Sequence, residues 1–98
     1  MDIQAIIEAM RAKVGSSGSL DATLLFDCGE EGVVFIDGRS QPHVISGERA
    51  QADCTVTIAR ADLVALMSGE LDPVMGFMTG RLRVAGDMGV ALKLQRIV

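Results

Sequence analysis

Apolar side chains recur at every second position over residues 20–28 and 53–58, and they recur at intervals of three and four over residues 60–79 and 88–97. Nothing else in the chain limits its fold as much, because a period of two belongs to strands and a period of 3.6 to helices. Leu20, Ala22, Leu24, Phe26 and Cys28 alternate with Asp21, Thr23, Leu25 and Asp27. That pattern predicts a strand with one buried and one mostly wet face. After a turn at Gly29-Glu30-Glu31-Gly32 comes Val33-Val34-Phe35-Ile36, apolar on both faces and expected to be covered on both. The two runs read as an antiparallel hairpin ending at the turn Asp37-Gly38. A short strand is expected at His43-Val44-Ile45-Ser46 after Pro42, then a polar loop from Gly47 to Ala52. Residues 53–58 alternate again, with Cys54, Val56 and Ile58 on one face.

Helical patterns flank these strands. Ile3, Ile6, Ile7 and Met10 share a helix face, with Val14 one turn on and Asp2 as cap. Gly15-Ser16-Ser17-Gly18-Ser19 then serves as a flexible connection. Leu63, Leu66 and Met67 define a second helix that Gly69 can close in the left-handed conformation. Asp72-Pro73 opens a third, since Asp fits the N-cap and Pro the first helical position. Val74, Phe77 and Met78 line its face, and Gly80 ends it. Arg81 to Val84 alternate as a further strand, and Asp87 caps a last helix over 88–97. The order predicts an α+β fold, a mainly antiparallel sheet with helices packed on it. A length of 98 residues fits one domain, 1–98, with one modest core.

The formal charge of −4 argues against a nucleic-acid partner. It is unevenly spread. Residues 1–80 carry −7, whereas residues 81–98 carry Arg81, Arg83, Lys93 and Arg96 against Asp87, a balance of +3. This is either an ordinary solvated surface or a transient contact with an anionic membrane or acidic partner. Cys28 and Cys54 are 26 positions apart, each inside an apolar run. They read as buried reduced thiols, hence a reducing compartment. No signal-peptide layout, no apolar run near the ~18 residues of a membrane span, and no Ser-Lys-Leu ending is present. Cytoplasm is the expected location.

Catalytic constellations are hard to assemble. His43 is the sole histidine, without metal-ligand spacing around it. No nucleophile elbow or phosphate-binding glycine loop occurs. Glu30 and Glu31 occupy a hairpin turn. The chain is therefore expected to be no enzyme and to need neither metal nor cofactor. What remains is an apolar cluster, with Met67, Met75, Met78 and Met88 falling within 22 positions around Phe77. Flexible, polarizable Met either fills a core or walls a pocket for ligands of varied shape. Pattern alone leaves both open.

Specific motifs bear on that choice. Ala52-Asp53-Cys54-Thr55-Val56-Thr57-Ile58, then Leu66-Met67-Ser68-Gly69-Glu70-Leu71-Asp72-Pro73, closely resemble the sterol carrier protein family of non-specific lipid-transfer domains, here as a standalone bacterial-type form. So do Gly80-Arg81-Leu82-Arg83-Val84-Ala85-Gly86-Asp87-Met88-Gly89 and Leu92-Lys93-Leu94-Gln95. The resemblance implies a five-stranded sheet covered by helices, with an apolar tunnel between them. It implies non-catalytic binding, and transfer, of a fatty acid, fatty acyl-CoA, phospholipid or sterol, with an isoprenoid as a further candidate for a bacterial form. Carried over by position, the wall would comprise Leu66, Met67, Val74, Phe77, Met78, Leu82, Met88, Leu92 and Leu94. Phe26 and Phe35 join them on their strand positions. The family often has Gly-Lys-Leu-Asn-Pro where this chain has Gly69-Glu70-Leu71-Asp72-Pro73, and two aromatics where it has Phe77-Met78. An apolar groove can also receive a protein, so the alternative is an accessory or dimerisation domain. The expected state is monomer or homodimer.

Overall fold

A computed structural model describes residues 2–14, 21–40 and 43–97, without the side chains of residues 13, 14 and 94–97. Leu20, the Gly15 to Ser19 connection and Pro42 lie outside the described residues, as do the side chains of Val14, Leu94 and Arg96. Helix α1 (Ile3–Val14) precedes strands β1 (Thr23–Asp27), β2 (Val33–Asp37), β3 (Val44–Ser46) and β4 (Cys54–Ile58). Helices α2 (Arg60–Ser68) and α3 (Pro73–Met78), strand β5 (Leu82–Gly86) and helix α4 (Met88–Ile97) complete the order. The residues at 29–31 wind into one 3-10 turn rather than a plain hairpin loop.

The five strands form one sheet in the order β3-β2-β1-β4-β5. The β1–β2 hairpin is antiparallel as its turn predicts, and β2–β3 and β4–β5 are antiparallel too. β1 and β4, however, run parallel, with Leu24 opposite Cys54 and Phe26 opposite Val56. The sheet is therefore mixed. β3 and β4 are consecutive in sequence yet lie on opposite sides of the hairpin, and that forces a crossover.

Register sorts the side chains onto two faces. Ile45, Ile36, Leu24 and Cys54 lie across one row, and Val34, Phe26, Val56 and Val84 across the next. This inner face packs with Ile6, Ile7 and Met10 of α1, Leu63 and Leu66 of α2, and Val90 of α4 into one core. The outer face carries Thr23, Leu25 and Asp27, flanked by Phe35 and Val33. The crossover after β3 is tied to both ends of β1 on this face. Arg49 meets Asp27 at 2.9 Å, and the backbone N–H of Asp53 donates to Thr23 Oγ1 at 2.9 Å. Leu25 and Val33 are buried there.

Local chemistry explains the helix ends. The Ala5 N–H donates to Asp2 Oδ1 at 2.8 Å, satisfying one of the first-turn amides. Gly69 closes α2 at φ 85°, a conformation costly for residues with a Cβ. Arg11 donates from Nε and Nη2 to the Ile45 carbonyl at 3.2 and 3.0 Å, which occupies an acceptor on edge strand β3.

Candidate functional site

The opposite edge of the sheet is different. Here α3, β5 and α4 leave an apolar cleft of about 250 Å³, lined by Pro73, Val74, Phe77, Leu82, Val84, Met88, Ala91 and Leu92. No lining side chain can ionise. The cleft opens to solvent through its helical walls, where Phe77 is 50% and Leu92 65% exposed. Its floor is the inner-face row of β5, with Leu82 buried and Val84 half-buried.

Three local features hold this arrangement. The first is the start of α3, where Asp72 Oδ1 accepts from the Val74 N–H at 2.8 Å and the Met75 N–H at 3.3 Å. Pro73 supplies a first helical position with no N–H to satisfy. The second is Gly76, the buried residue of α3. A Cβ there would lie 3.1 Å from Leu82 Cδ2 and 3.4 Å from Leu71 Cδ2, so the missing side chain lets α3 settle on β5. The Arg81 N–H then donates to the Gly76 carbonyl at 2.8 Å as the chain enters β5. The third is the corner into α4. Gly86 has φ 102°, and a Cβ on it would collide with the Asp53 carbonyl oxygen. That oxygen accepts from the Asp87 N–H at 2.8 Å, while the Asp87 carboxylate accepts from the Gly89 N–H at 2.8 Å.

Five of the eleven residues expected from sequence line this cleft: Val74, Phe77, Leu82, Met88 and Leu92. Leu66 and Phe26 lie instead in the solid core, and Met67 packs half-buried against it. Phe26 sits on the inner face as its alternation predicts, but on central strand β1, away from the β5 edge. Phe35 is placed by register on the outer face, beside Leu25. Met78 is 73% exposed and outside the lining. The Leu94 side chain lies outside the described residues. Pro73, Val84 and Ala91 were not expected. Val84 follows Leu82 at i+2, and Ala91 follows Met88 at i+3, so the two periodicities carried the signal.

No titratable side chain lines the cleft. Burial pushes the Cys54 thiol above its usual range, with the Asp87 carboxylate adding to the effect. Burial also raises Cys28, helped by Glu31 and Asp27. Both thiols are free and held protonated at neutral pH, hence poor nucleophiles. His43 is buried. Among the described residues no group of three His, Cys, Asp or Glu could hold a metal ion. No described helix is long and apolar enough to cross a membrane.

Comparison with known proteins places this architecture. The profile of the SCP-2 sterol transfer family matches residues 3–98. Sterol carrier protein 2 of Oryctolagus cuniculus is 40% identical over 70 residues, which is 70% of this chain but 13% of that protein. Sterol Carrier Protein 2 from Yarrowia lipolytica, solved in its apo form, superposes with a TM-score of 0.76 at 18% identity, covering 94% of this chain and 85% of that one. A solution structure of palmitated SCP2L2 from Aedes aegypti gives a TM-score of 0.73 at 23% identity, covering 99% and 94%.

Proposed function

The chain belongs to the SCP-2 sterol transfer family, and on that premise we propose that it carries the hydrocarbon chain of a lipid in the cleft between α3, β5 and α4. The observation that carries this reading is the lining: eight apolar residues, with Val74, Phe77, Met88 and Leu92 each roughly half or more exposed around an empty volume. Half-exposed apolar side chains grouped around a cavity are what a bound chain would cover. A palmitated fold neighbour makes a fatty acyl chain the first choice of ligand. The cleft lies just under the usual ~300–1,000 Å³ of ligand pockets, which favours one flexible chain over a rigid polycycle. Fatty acyl-CoA, isoprenoid and sterol are competitors to be tested beside it.

The magnitudes are adequate. Ten buried methylenes are worth about 8 kcal/mol, and covering the exposed halves of Phe77, Met88 and Leu92 adds about 3. Association costs about 4 kcal/mol or more. The remainder corresponds to a Kd of roughly ten micromolar. The lining offers apolar contact, which suits carriage of a hydrocarbon chain.

Delivery requires the cleft to meet a membrane. Arg81, Arg83 and Lys93 are exposed on β5 and α4 or beside them, within a segment of net charge +3. Lys93 would contribute about 1 kcal/mol of attraction to an anionic surface, Arg81 less because Asp62 lies 3.7 Å from it, and Arg83 alternates to the outer face of the sheet, away from the cleft floor. The deciding experiment is displacement of a fluorescent fatty acid by unlabelled lipids, on wild type and on Phe77→Asp. Wild type should bind at micromolar concentration, and Phe77→Asp should lose at least tenfold with an unchanged circular dichroism spectrum. Absence of binding with a stable dimer in light scattering would favour a protein-docking groove.

A further inference from the structure

Seven large apolar side chains are exposed among the described residues, and six of them lie on α3 and α4. Three of the six are methionines. Met75 is 55%, Met78 73% and Met88 51% exposed. The other described methionines are covered, Met10 in the core and Met67 half-buried against it. Met88 forms part of the cleft wall, whereas Met75 and Met78 are exposed on α3 outside the lining. Among the described residues, Met88 is the one methionine that is both exposed and part of the cleft lining.

We propose that Met88 makes the rim of the cleft sensitive to oxidation, so that hydrogen peroxide converts its thioether to sulfoxide and lowers the affinity of the cleft for an apolar chain. The inference rests on the carrier reading above. In the step, the sulfur lone pair attacks one peroxide oxygen and the O–O bond breaks. The sulfur gives up two electrons and keeps that oxygen as a sulfoxide, while the proton on it passes to the departing hydroxide, which leaves as water. A sulfoxide is polar and strongly hydrated, whereas a thioether is not. Seating a hydrocarbon against it then requires stripping water from a group with no new partner. Val74, Phe77 and Leu92 are inert to this reagent, so the remaining wall persists. Methionine sulfoxide is reducible by its dedicated reductases, which makes the change reversible.

The test is peroxide treatment of the full chain, followed by peptide mass spectrometry and fatty-acid displacement. A Met75→Leu/Met78→Leu/Met88→Leu variant serves as comparison, because Leu keeps the apolar volume without the sulfur. Met75, Met78 and Met88, all exposed, should gain one oxygen each well before buried Met10. Wild type should then lose about tenfold in affinity, the size expected for one polar group desolvated without a partner. The triple variant, whatever its starting affinity, should keep that affinity after peroxide, and sulfoxide reductase should restore wild type. A polarity-sensitive dye that lights up on apolar surface reads the rim separately from the lipid. Dye uptake without fatty-acid binding would contradict the carrier reading, and loss of dye signal on oxidation would still support the rim. Unchanged affinity and dye signal in protein oxidised at all three positions would overturn the inference, as would an equal loss in the triple variant.

Discussion

Replacing Gly76 tests whether α3 is seated on β5 by a missing side chain. An ideal Cβ would lie 3.1 Å from Leu82 Cδ2 and 3.4 Å from Leu71 Cδ2. Both contacts are the ends of flexible side chains, so alanine needs shifts of only a few tenths of an ångström. Against that, Gly→Ala in a helix gains about 1 kcal/mol. Gly76→Ala should therefore stay within about 1 kcal/mol of wild type. Valine adds two further methyls between Leu71 and Leu82, which are both buried. Overpacking of this kind costs about 1–3 kcal/mol. At about 2 kcal/mol the folding constant falls roughly thirtyfold. Part of the strain can be relieved if α3 lifts off β5, and that moves Val74 and Phe77 away from the rest of the wall. Gly76→Val should thus lose both stability in urea unfolding and affinity in displacement titration, while Gly76→Ala loses neither. A valine variant equal to wild type in both assays would refute the seating argument.

Asp72→Ala removes the acceptor for the Val74 and Met75 amides and should cost about 1 kcal/mol in urea unfolding, with weaker lipid binding because α3 carries one wall. Acid should loosen the crossover. Asp53 accepts from the Thr23 N–H at 2.9 Å and Arg39 Nη2 at 2.9 Å, and the Thr23 hydrogen bond leads in holding its pKa below the usual range. A lowered folded pKa means the stabilisation is complete above about pH 4 and is lost as pH falls through the folded value. The same sign holds for Asp27, lowered first by its hydrogen bond from Arg49. The wild-type urea midpoint should fall as pH drops from about 5 through the lowered carboxylate range, and Asp53→Asn should show a smaller fall from a lower starting point; an identical pH dependence would contradict the assignment.

Local features were legible in the sequence because they depend on neighbours a few positions apart. The alternation of Cys54, Val56 and Ile58 gives the buried face of β4, and the Asp72-Pro73 pair gives the start of α3. Gly69 closes α2 at positive φ as its position implies. The β1–β4 pairing is parallel and follows from a crossover that no local pattern encodes. The cleft was half legible for the same reason. Met88, Leu92, Leu82 and Phe77 follow from periodicity and from the family resemblance, but the facing of a six-residue helix is set by its closest approach. In α3 that approach is Gly76, which turns Met78 outward to 73% exposure. Phe26 and Phe35 show the limit of strand alternation. It separates two faces, yet it does not say which face or which strand borders a cavity. The motifs of residues 52–95 supplied what periodicity could not, the kind of ligand.

The most direct test of the account is where a bound chain lies. A spin-labelled fatty acid added to methyl-labelled protein broadens nearby methyl signals in NMR spectra. The account predicts that the methyls of Val74, Met88 and Leu92 broaden first, with Leu82 and Val84 close behind and Met10 and Ile45 of the distant core last. Phe77→Asp should abolish the pattern. Broadening centred on the outer-face methyls of Leu25 and Val33, or spread evenly with no saturation, would contradict a lipid site between α3, β5 and α4.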